Sequence, residues 1–354
     1  MLEEFGIIGL ILISILQYFP SKHWIFRTLD FAKIQLTFIQ ISVLLIIAVR
    51  FPFLSQTSSI LSAFILILCL HNLYILFPFT KFYPLESKQI KTSETPVRFL
   101  FVNVYQFNKK KNLLVDLIKA IEPDILLTFE TDKAWDKSLN EIDYLFRASK
   151  KVPQDNTYGL HFYTTLESEY ISANYLVSDD IPSIEAKLKT RNGEDFIFFG
   201  IHPPPPGHVQ EETTIERDAE ILAVSEKIKS SSLPCILTGD FNNVAWSRSA
   251  KLMKKNAQLL DPRVGRGFVS TFHAKYLFFR FPIDSVFHTR SIYFSKLKTE
   301  KAINSDHLPV YGEFIVDTSL EKQNSFAENA ELTEKDEISE MIVEGKNTDS
   351  DKRN

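Results

Sequence analysis

The 354-residue chain has only two cysteines, Cys69 in an apolar run and Cys235 in a short apolar segment that reads as a buried strand. Thiols so placed are small core residues. They exclude a disulfide framework, so cysteine usage does not fix the compartment. A basic surplus is also missing. The net charge is −4, and residues 97–317 carry 28 Lys+Arg against 29 Asp+Glu. A dedicated duplex-binding surface leaves a basic footprint, and none shows in these totals. A cleaved signal peptide fits poorly: Glu3 and Glu4 stand where a basic region belongs, and no small-residue cleavage site follows. No internal repeat is present.

What the chain has in plenty is apolar sequence at its start, in three runs over residues 5–19, 31–49 and 60–79. A spanning helix needs roughly 20 apolar residues, with about 17 to 25 tolerated. The second and third runs meet that length without an internal Asp, Glu or Arg, and Lys33 sits near one end, where it can snorkel. The first run is short, so the count is two or three spans, with three expected. Residues 1–80 therefore read as a multi-pass membrane anchor. Lys22, Arg27 and Lys33 follow the first run and Lys81, Lys88 and Lys91 the third, whereas only Arg50 separates the second from the third. Read literally, the positive-inside rule puts the large domain in the cytoplasm.

Residues 81–96, with a proline near each end, form a linker. After Thr318 the chain is acidic and poor in aromatics, five Lys+Arg against ten Asp+Glu. Such a segment lacks a core, so 318–354 is expected to be a disordered tail, with 327–343 able to form a transient helix. Between linker and tail, strands are expected at 97–104, 125–129, 196–201, 235–238, 283–287 and 310–316, and helices at 113–121, 215–228 and 247–257. Their interleaving predicts an α/β domain, a layered sheet core with helices outside.

Polar residues stand at the ends of these apolar strands: Asn103, Glu130, His202, Asp240, Asp284, and the pair Asp306 and His307. Strands of one sheet bring such positions to one rim. Carboxylates, amides and two histidines together suit phosphoester hydrolysis. A hard divalent cation takes oxygen ligands, an Asp orients and deprotonates a water, and a His bonds the phosphoryl oxygen or protonates the leaving group. Asn103 and Asn242 hold ligands without adding repulsive charge. Each signal has a plainer reading. Gly239-Asp240-Phe241-Asn242 and Ser305-Asp306-His307 are also turn formers, Glu130 is also an ordinary residue after a strand, and His202 before four prolines also marks a polyproline turn. Asn103 inside an apolar strand says more, because a buried amide without a partner costs energy. The order and joint presence of these residues outweigh any one alone.

Taken in order, Val-Asn-Val at 102–104, Glu130, His202, Gly-Asp-Phe-Asn at 239–242, Pro-Ile-Asp-Ser-Val-Phe at 282–287 and Ser-Asp-His-Leu-Pro-Val at 305–310 resemble the endonuclease/exonuclease/phosphatase superfamily. The resemblance covers residues 97–316. It implies a four-layered α/β sandwich, two packed mixed sheets flanked by helices, here preceded by transmembrane helices. It implies Mg²⁺ or Mn²⁺, with Glu130 as principal ligand, Asn103 beside it and Asp306 near the metal. It implies that Asp240 orients the attacking water with Asn242 assisting, that His202 and His307 contact the scissile phosphate, and that Asp284 sets the tautomer of His307. The chain departs from the common pattern at Tyr105, Phe129 and Ser285, and the first departure bears on a second metal position. The His202-to-Pro206 run and the apolar start are similar to the bacterial membrane-bound branch, some of whose members hold the catalytic domain outside the cytoplasmic membrane. That tilts the side toward extracytoplasmic, against the lysine count.

The expected function is thus a membrane-anchored, metal-dependent phosphoesterase. A bilayer anchor and a near-neutral domain favour a lipid-linked or small phosphoester, with a nuclease acting on nucleic acid as the alternative. The rival of another class is a catalytically inactive membrane receptor or scaffold on the same fold. It would have lost some of Glu130, Asp240, Asp284 and His307 first, and all are present.

Overall fold

The structure, a computed structural model, describes residues 2–19, 21–50, 55–90, 95–207, 212–319, 323 and 328–348. Four helices open the chain: α1 (Leu2–Leu16), α2 (Trp24–Phe31), α3 (Lys33–Arg50) and α4 (Gln56–Leu76). Lys33–Arg50 and the longer apolar stretch Gln56–Phe79 are long and apolar enough to cross a membrane. At 15 residues α1 falls below that length. It nevertheless runs beside α4 and meets α3 near its C-terminal end. Ser55 Oγ donates to Glu4 Oε1 at 3.0 Å at one end, and at the other Gln40 Nε2 donates to Ser14 Oγ at 2.9 Å and Tyr18 Oη to Asn72 Oδ1 at 3.4 Å. Lys33 does not snorkel as expected: its ammonium turns inward and donates to Gln17 Oε1. Of the linker lysines, Lys91 lies outside the described residues.

The chain from Val97 to Val316 contains two mixed sheets. One has the order β10-β11-β1-β2-β4-β3 and the other β5-β6-β7-β8-β9. The strands are β1 (Val97–Asn103), β2 (Ile125–Phe129), β3 (Ala148–Val152), β4 (Leu160–Thr164), β5 (Glu167–Tyr175), β6 (Pro182–Lys189), β7 (Asp195–Ile201), β8 (Cys235–Asp240), β9 (Asp284–His288), β10 (Ile292–Thr299) and β11 (Val310–Val316). Period-two alternation assigns each side chain to a layer. Phe99, Phe101, Ile125 and Leu127 of one sheet meet Ile184, Phe196, Phe198 and Ile236 of the other in a shared core. The alternate residues Leu100, Val102 and Leu126 face outward, under α5 (Asn112–Ile121) and Trp135 of α6 (Lys133–Leu139). Ile197, Phe199 and Leu237 likewise lie under α7 (Ile215–Ser230) and α8 (Arg248–Asn256). Helix, sheet, sheet, helix: this is the four-layered sandwich. At roughly 25 cal/mol per Å², these aromatic-rich layers supply the main stabilisation.

Two expectations change. The tail is not wholly without structure: Leu332–Lys346 forms α9. Its Ile338 is buried, and Met341 and Ile342 pack on the α7–α8 layer. At Gly345 a Cβ would lie 2.2 Å from Ala219 Cβ, so only glycine permits this approach to α7. The linker is not free either. Glu86 is buried, pairs with Lys254 at 2.6 Å and accepts from Asp261 N–H at 3.2 Å.

Candidate active site

Each sheet contains one parallel pair, β1 with β2 and β7 with β8, and the carboxyl ends of all four strands reach the same rim. Registers put Asn103 opposite Phe129, Ile201 opposite Gly239 and Asp240 opposite Asp284. Phe101 pairs with Val310, which brings the turn before β11 to the rim as well. Glu130, His202 and His307 follow or precede these strand ends. The structure therefore gathers Asn103, Glu130, His202, Asp240, Asn242, Asp284, Asp306 and His307 at one edge.

Asn103 is the hub. Its Nδ2 donates to Glu130 Oε1 at 2.8 Å and to Asp240 Oδ2 at 3.0 Å, bridging the two sheets. Gln106 N–H donates to the other Glu130 oxygen at 3.1 Å. Those two bonds hold Glu130 in a left-handed backbone conformation, φ +60°, which costs about 1 kcal/mol or more for a residue with a Cβ. Gly239 precedes Asp240 for a steric reason: a Cβ there would lie 2.0 Å from the Ile201 carbonyl oxygen. Asn242 N–H fixes Asp240 Oδ1 at 3.1 Å, so Oδ2 turns toward the imidazoles. The Asn242 side chain donates to the Pro203 carbonyl at 3.0 Å. Its amide thus braces the loop after His202.

Asp240 Oδ2 lies 3.7 Å from His202 Nε2 and 3.5 Å from His307 Nε2. His307 Nδ1 meets Asp284 Oδ2 at 2.7 Å, and the Thr271 hydroxyl donates to that same oxygen. Ser305 Oγ donates to the Asn103 carbonyl at 2.8 Å and accepts from His307 N–H at 3.0 Å, so it ties the β11 turn to β1. It also touches Asp306 Oδ1 at 3.3 Å. Phe272 tilts over His307, ring centroids 4.9 Å apart, and Phe129 and Tyr158 flank His202.

Burial sets the charges. It pushes the Glu130 carboxyl up, against the pull of His202. It opposes ionisation of Asp240 too, but His307 and His202 outweigh it and bring that carboxyl below its usual value. Burial drives His202 down, toward the neutral imidazole, against the pull of Asp240 and Glu130, and the His307 charge acts in the same direction as burial. For His307, burial acts against the charge, and the Asp284 and Asp240 carboxylates on its two sides override it, pushing it up to about 10. Burial raises Asp284, yet the shared proton belongs to the imidazole, because two carboxylates face one ring.

Asp240, Asp284 and His307 offer three ligand atoms within 4.8 Å of one another, a buried group able to bind a metal. A protonated His307 with a carboxylate at each nitrogen has no lone pair to give, however. Glu130 fits a hard cation better. Its oxygens accept only neutral N–H donors, from Asn103 and Gln106, and no Lys or Arg pairs with it among the described residues.

Sequence reasoning missed Thr271, the Gln106 N–H, Phe272 and the tying role of Ser305. Only Ser305 stood inside a recognisable motif. Of the three departures, Phe129 and Ser285 are buried and Tyr105 is exposed. Phe129 is buried against His202, Ser285 Oγ accepts from Arg263 at 2.9 Å, and the Tyr105 carbonyl accepts from Trp135 Nε1 at 3.4 Å.

A family model described as Endonuclease/Exonuclease/phosphatase family matches residues 100–307, more than half the chain, and the chain belongs to that family. Among solved structures it is similar to D. rerio TDP2 complexed with single strand DNA product, with TM-score 0.53 and 14% identity over 63% of this chain and 100% of that one. It is similar to the human Nocturnin catalytic domain with bound sulfate anion, TM-score 0.52 and 16% identity over 62% and 94%. It is also similar to an endonuclease/exonuclease/phosphatase from Bacteroides vulgatus, TM-score 0.51 and 19% identity over 63% and 100%. At these identities the likeness shows the fold. No curated protein matches the chain.

Proposed function

We propose that the protein is a membrane-anchored, divalent-metal-dependent phosphoesterase that hydrolyses a phosphomonoester or phosphodiester. One observation carries the reading: Asp240, held ionised between two imidazoles, shares the Asn103 amide with a buried Glu130 that has no Lys or Arg partner among the described residues. Glu130, with Asn103 and Asp306, would hold Mg²⁺ or Mn²⁺, which when bound neutralises charge on the phosphate. Asp240 accepts the proton of the attacking water and orients it. His307, as imidazolium, bonds a phosphoryl oxygen as negative charge develops there. Neutral His202 occupies the opposite side of Asp240 and donates to a second phosphoryl oxygen. Asp284 and Thr271 hold the His307 ring, and Asn242 holds Asp240 and the His202 loop.

The anchor reading is supported by the outward apolar faces of α3 and α4. Phe38, Leu45, Ile46, Val49, Phe64 and Ile67 are all exposed, a surface that water does not favour. α1 packs along α4 and completes a three-helix anchor in the cell membrane, with the catalytic domain on the extracytoplasmic side. A nuclease is the second reading, favoured by the D. rerio neighbour complexed with single strand DNA product.

The test is hydrolysis of bis-p-nitrophenyl phosphate by the detergent-solubilised chain with Mg²⁺ or Mn²⁺. Asp240→Ala and His307→Ala should each lower kcat/KM by at least ~100-fold. Unchanged activity in both variants would remove the mechanism.

A further inference from the structure

The root of one loop forms a wall of the site, and its tip leaves the domain beside the anchor. Phe272 and Phe281 pair as an antiparallel bridge at the root. Thr271 donates to Asp284, Phe272 covers His307, and Ala274 N–H donates to the Asp306 carbonyl at 2.6 Å. At the tip, Tyr276, Leu277, Phe278 and Phe279 are 60, 77, 50 and 57% exposed. Four consecutive large apolar residues in water are costly, and such a patch marks a surface that meets something apolar. Lys275 and Arg280 bracket them.

The same tip touches α3. Gln35 Nε2 donates to the Phe278 carbonyl at 2.6 Å, and the Phe278 ring stands edge-on to Phe38, 6.5 Å between centroids. Phe281 meets Phe31 in the same way at 6.4 Å. Phe38 lies five residues beyond Lys33, about 7.5 Å along the helix axis at ~1.5 Å per residue. The loop tip therefore sits level with the apolar part of α3 and not with its end. On the other lip of the site, Tyr105 and Phe107 are exposed next to Gln106, whose N–H holds Glu130.

We propose that residues 274–280 insert into the outer layer of the bilayer that holds α3, and that the site at the loop's root acts on phosphoesters carried by membrane lipids. This rests on the phosphoesterase and anchor readings above and names their substrate class. The loop's aromatic and aliphatic side chains occupy the acyl boundary, and Lys275 and Arg280 lie at headgroup level. A lipid phosphate then enters from below, between the loop root and the Tyr105–Phe107 lip.

The test uses the full chain in nanodiscs of phosphatidylcholine with phosphatidylglycerol. Cys69 and Cys235 are buried, so Leu277→Cys is labelled selectively with a nitrobenzoxadiazole fluorophore. Quenching by a lipid nitroxide near the top of the acyl chain, and not by an aqueous nickel chelate, is expected. Quenching by the aqueous agent alone overturns the insertion. In the same discs, the double variant Leu277→Ser/Phe278→Ser should turn over a nitrophenyl phosphodiester carried on a diacylglycerol at least ~10-fold more slowly than the parent, with soluble bis-p-nitrophenyl phosphate unaffected. Equal loss on both esters, no loss on the lipid ester, or faster parent turnover of a single-stranded oligonucleotide than of the lipid ester overturns the substrate class. A parent that hydrolyses none of the three overturns the phosphoesterase reading together with the substrate class, while the quenching still decides where the loop lies.

Discussion

Replacing Asp284 by Asn tests the electrostatic core of the site, because it removes one charge and leaves the shape. Asp284 Oδ2 lies 2.7 Å from His307 Nδ1, and Asp240 Oδ2 lies 3.5 Å from Nε2. Together they hold His307 up at about 10, against a burial penalty that acts the other way. Relative to an ordinary imidazole near 6.5 that is ~5 kcal/mol in favour of the proton, at about 1.36 kcal/mol per pKa unit. The nearer carboxylate supplies more than half, so Asp284→Asn weakens the protonated state by ~3 kcal/mol. The sign follows from the direction of the shift. A raised imidazole carries its charge below its folded pKa and loses it as pH rises through that value. In the parent, kcat/KM should hold up to pH 9 and beyond. In Asp284→Asn the descending limb moves down by about two pH units, to near pH 8, so the rate falls roughly twofold at pH 8 and roughly tenfold or more below the parent at pH 9. The assay is the pH profile of bis-p-nitrophenyl phosphate hydrolysis from pH 6 to 9.5 at fixed Mg²⁺. A limb that does not move, or a loss below about threefold at pH 9, would refute the imidazolium role of His307.

Three further outcomes follow from other parts of the molecule. Chelation by EDTA should abolish turnover and Mg²⁺ or Mn²⁺ restore it; in Glu130→Gln the cation concentration for half-maximal activity should rise more than about 100-fold, since losing a group that merely supports a ligand costs ~10- to 100-fold, and an unshifted requirement would remove Glu130 as the ligand. His288 is fully buried, its Nδ1 on the Thr289 carbonyl, and burial drives it down to about 4; the folded chain is therefore unaffected above pH 6.5 and loses ~2 kcal/mol by pH 5 as the unfolded chain takes up the proton, so the drop in unfolding midpoint between pH 7 and 5 should shrink in His288→Phe, and an equal drop would contradict the assignment. Ile338→Ala should release α9 at a cost of about 2 to 4 kcal/mol, read as new protease cleavage within residues 332–346, whereas an equally protected helix would show that Ile338 does not hold it.

The strands that carry chemistry were legible because they are buried on both faces. Residues 125–129 and 310–316 match β2 and β11 to the residue, and β1, β7, β8 and β9 shift by only one or two positions at their ends. A continuous apolar run closed by a polar residue is a strong signal wherever both sides of a sheet are covered. β3, β5 and β6 gave no such signal. Ala148–Val152 reads Ala-Ser-Lys-Lys-Val and Glu167–Tyr175 alternates polar with half-buried residues. These are edge or near-edge strands whose pairing is fixed by neighbours distant in sequence. β4 was missed for a different reason: His161 interrupts an otherwise apolar Leu160–Thr164. At the site, the eight residues chosen at or near strand ends all reach one rim, but Thr271 was invisible because the loop from α8 to β9 has no periodicity. α9 was misread because its apolar residues, Ile338, Met341 and Ile342, are too few to mark a core until α7 is there to receive them.

The junction between helices α1–α4 and the sandwich bears on the proposed substrate class. A flexible linker would let the domain sample a wide volume above the bilayer. Here the two parts are stitched together at many points. Trp246 Nε1 donates to the Asp30 carbonyl at 2.8 Å, Trp24 N–H to the Glu212 carbonyl at 3.0 Å, and Thr214 N–H to the Lys22 carbonyl at 2.9 Å. Gly265 N–H donates to the Pro78 carbonyl at 2.9 Å, and at its φ of +76° a Cβ would fall 2.7 Å from the Tyr83 carbonyl oxygen, so the linker presses directly on that turn. Glu86 adds its pair with Lys254. Such an attachment fixes the height and tilt of the active-site rim relative to α3 and α4. A soluble phosphoester arriving by diffusion gains nothing from that, since it reaches a tethered or a free site equally well. A phosphate held at the bilayer surface gains a great deal, because orientation is settled before it arrives. The rigidity of the junction is therefore expected to matter only for lipid-borne esters, which accords with the side of the domain on which Leu277 and Phe278 emerge.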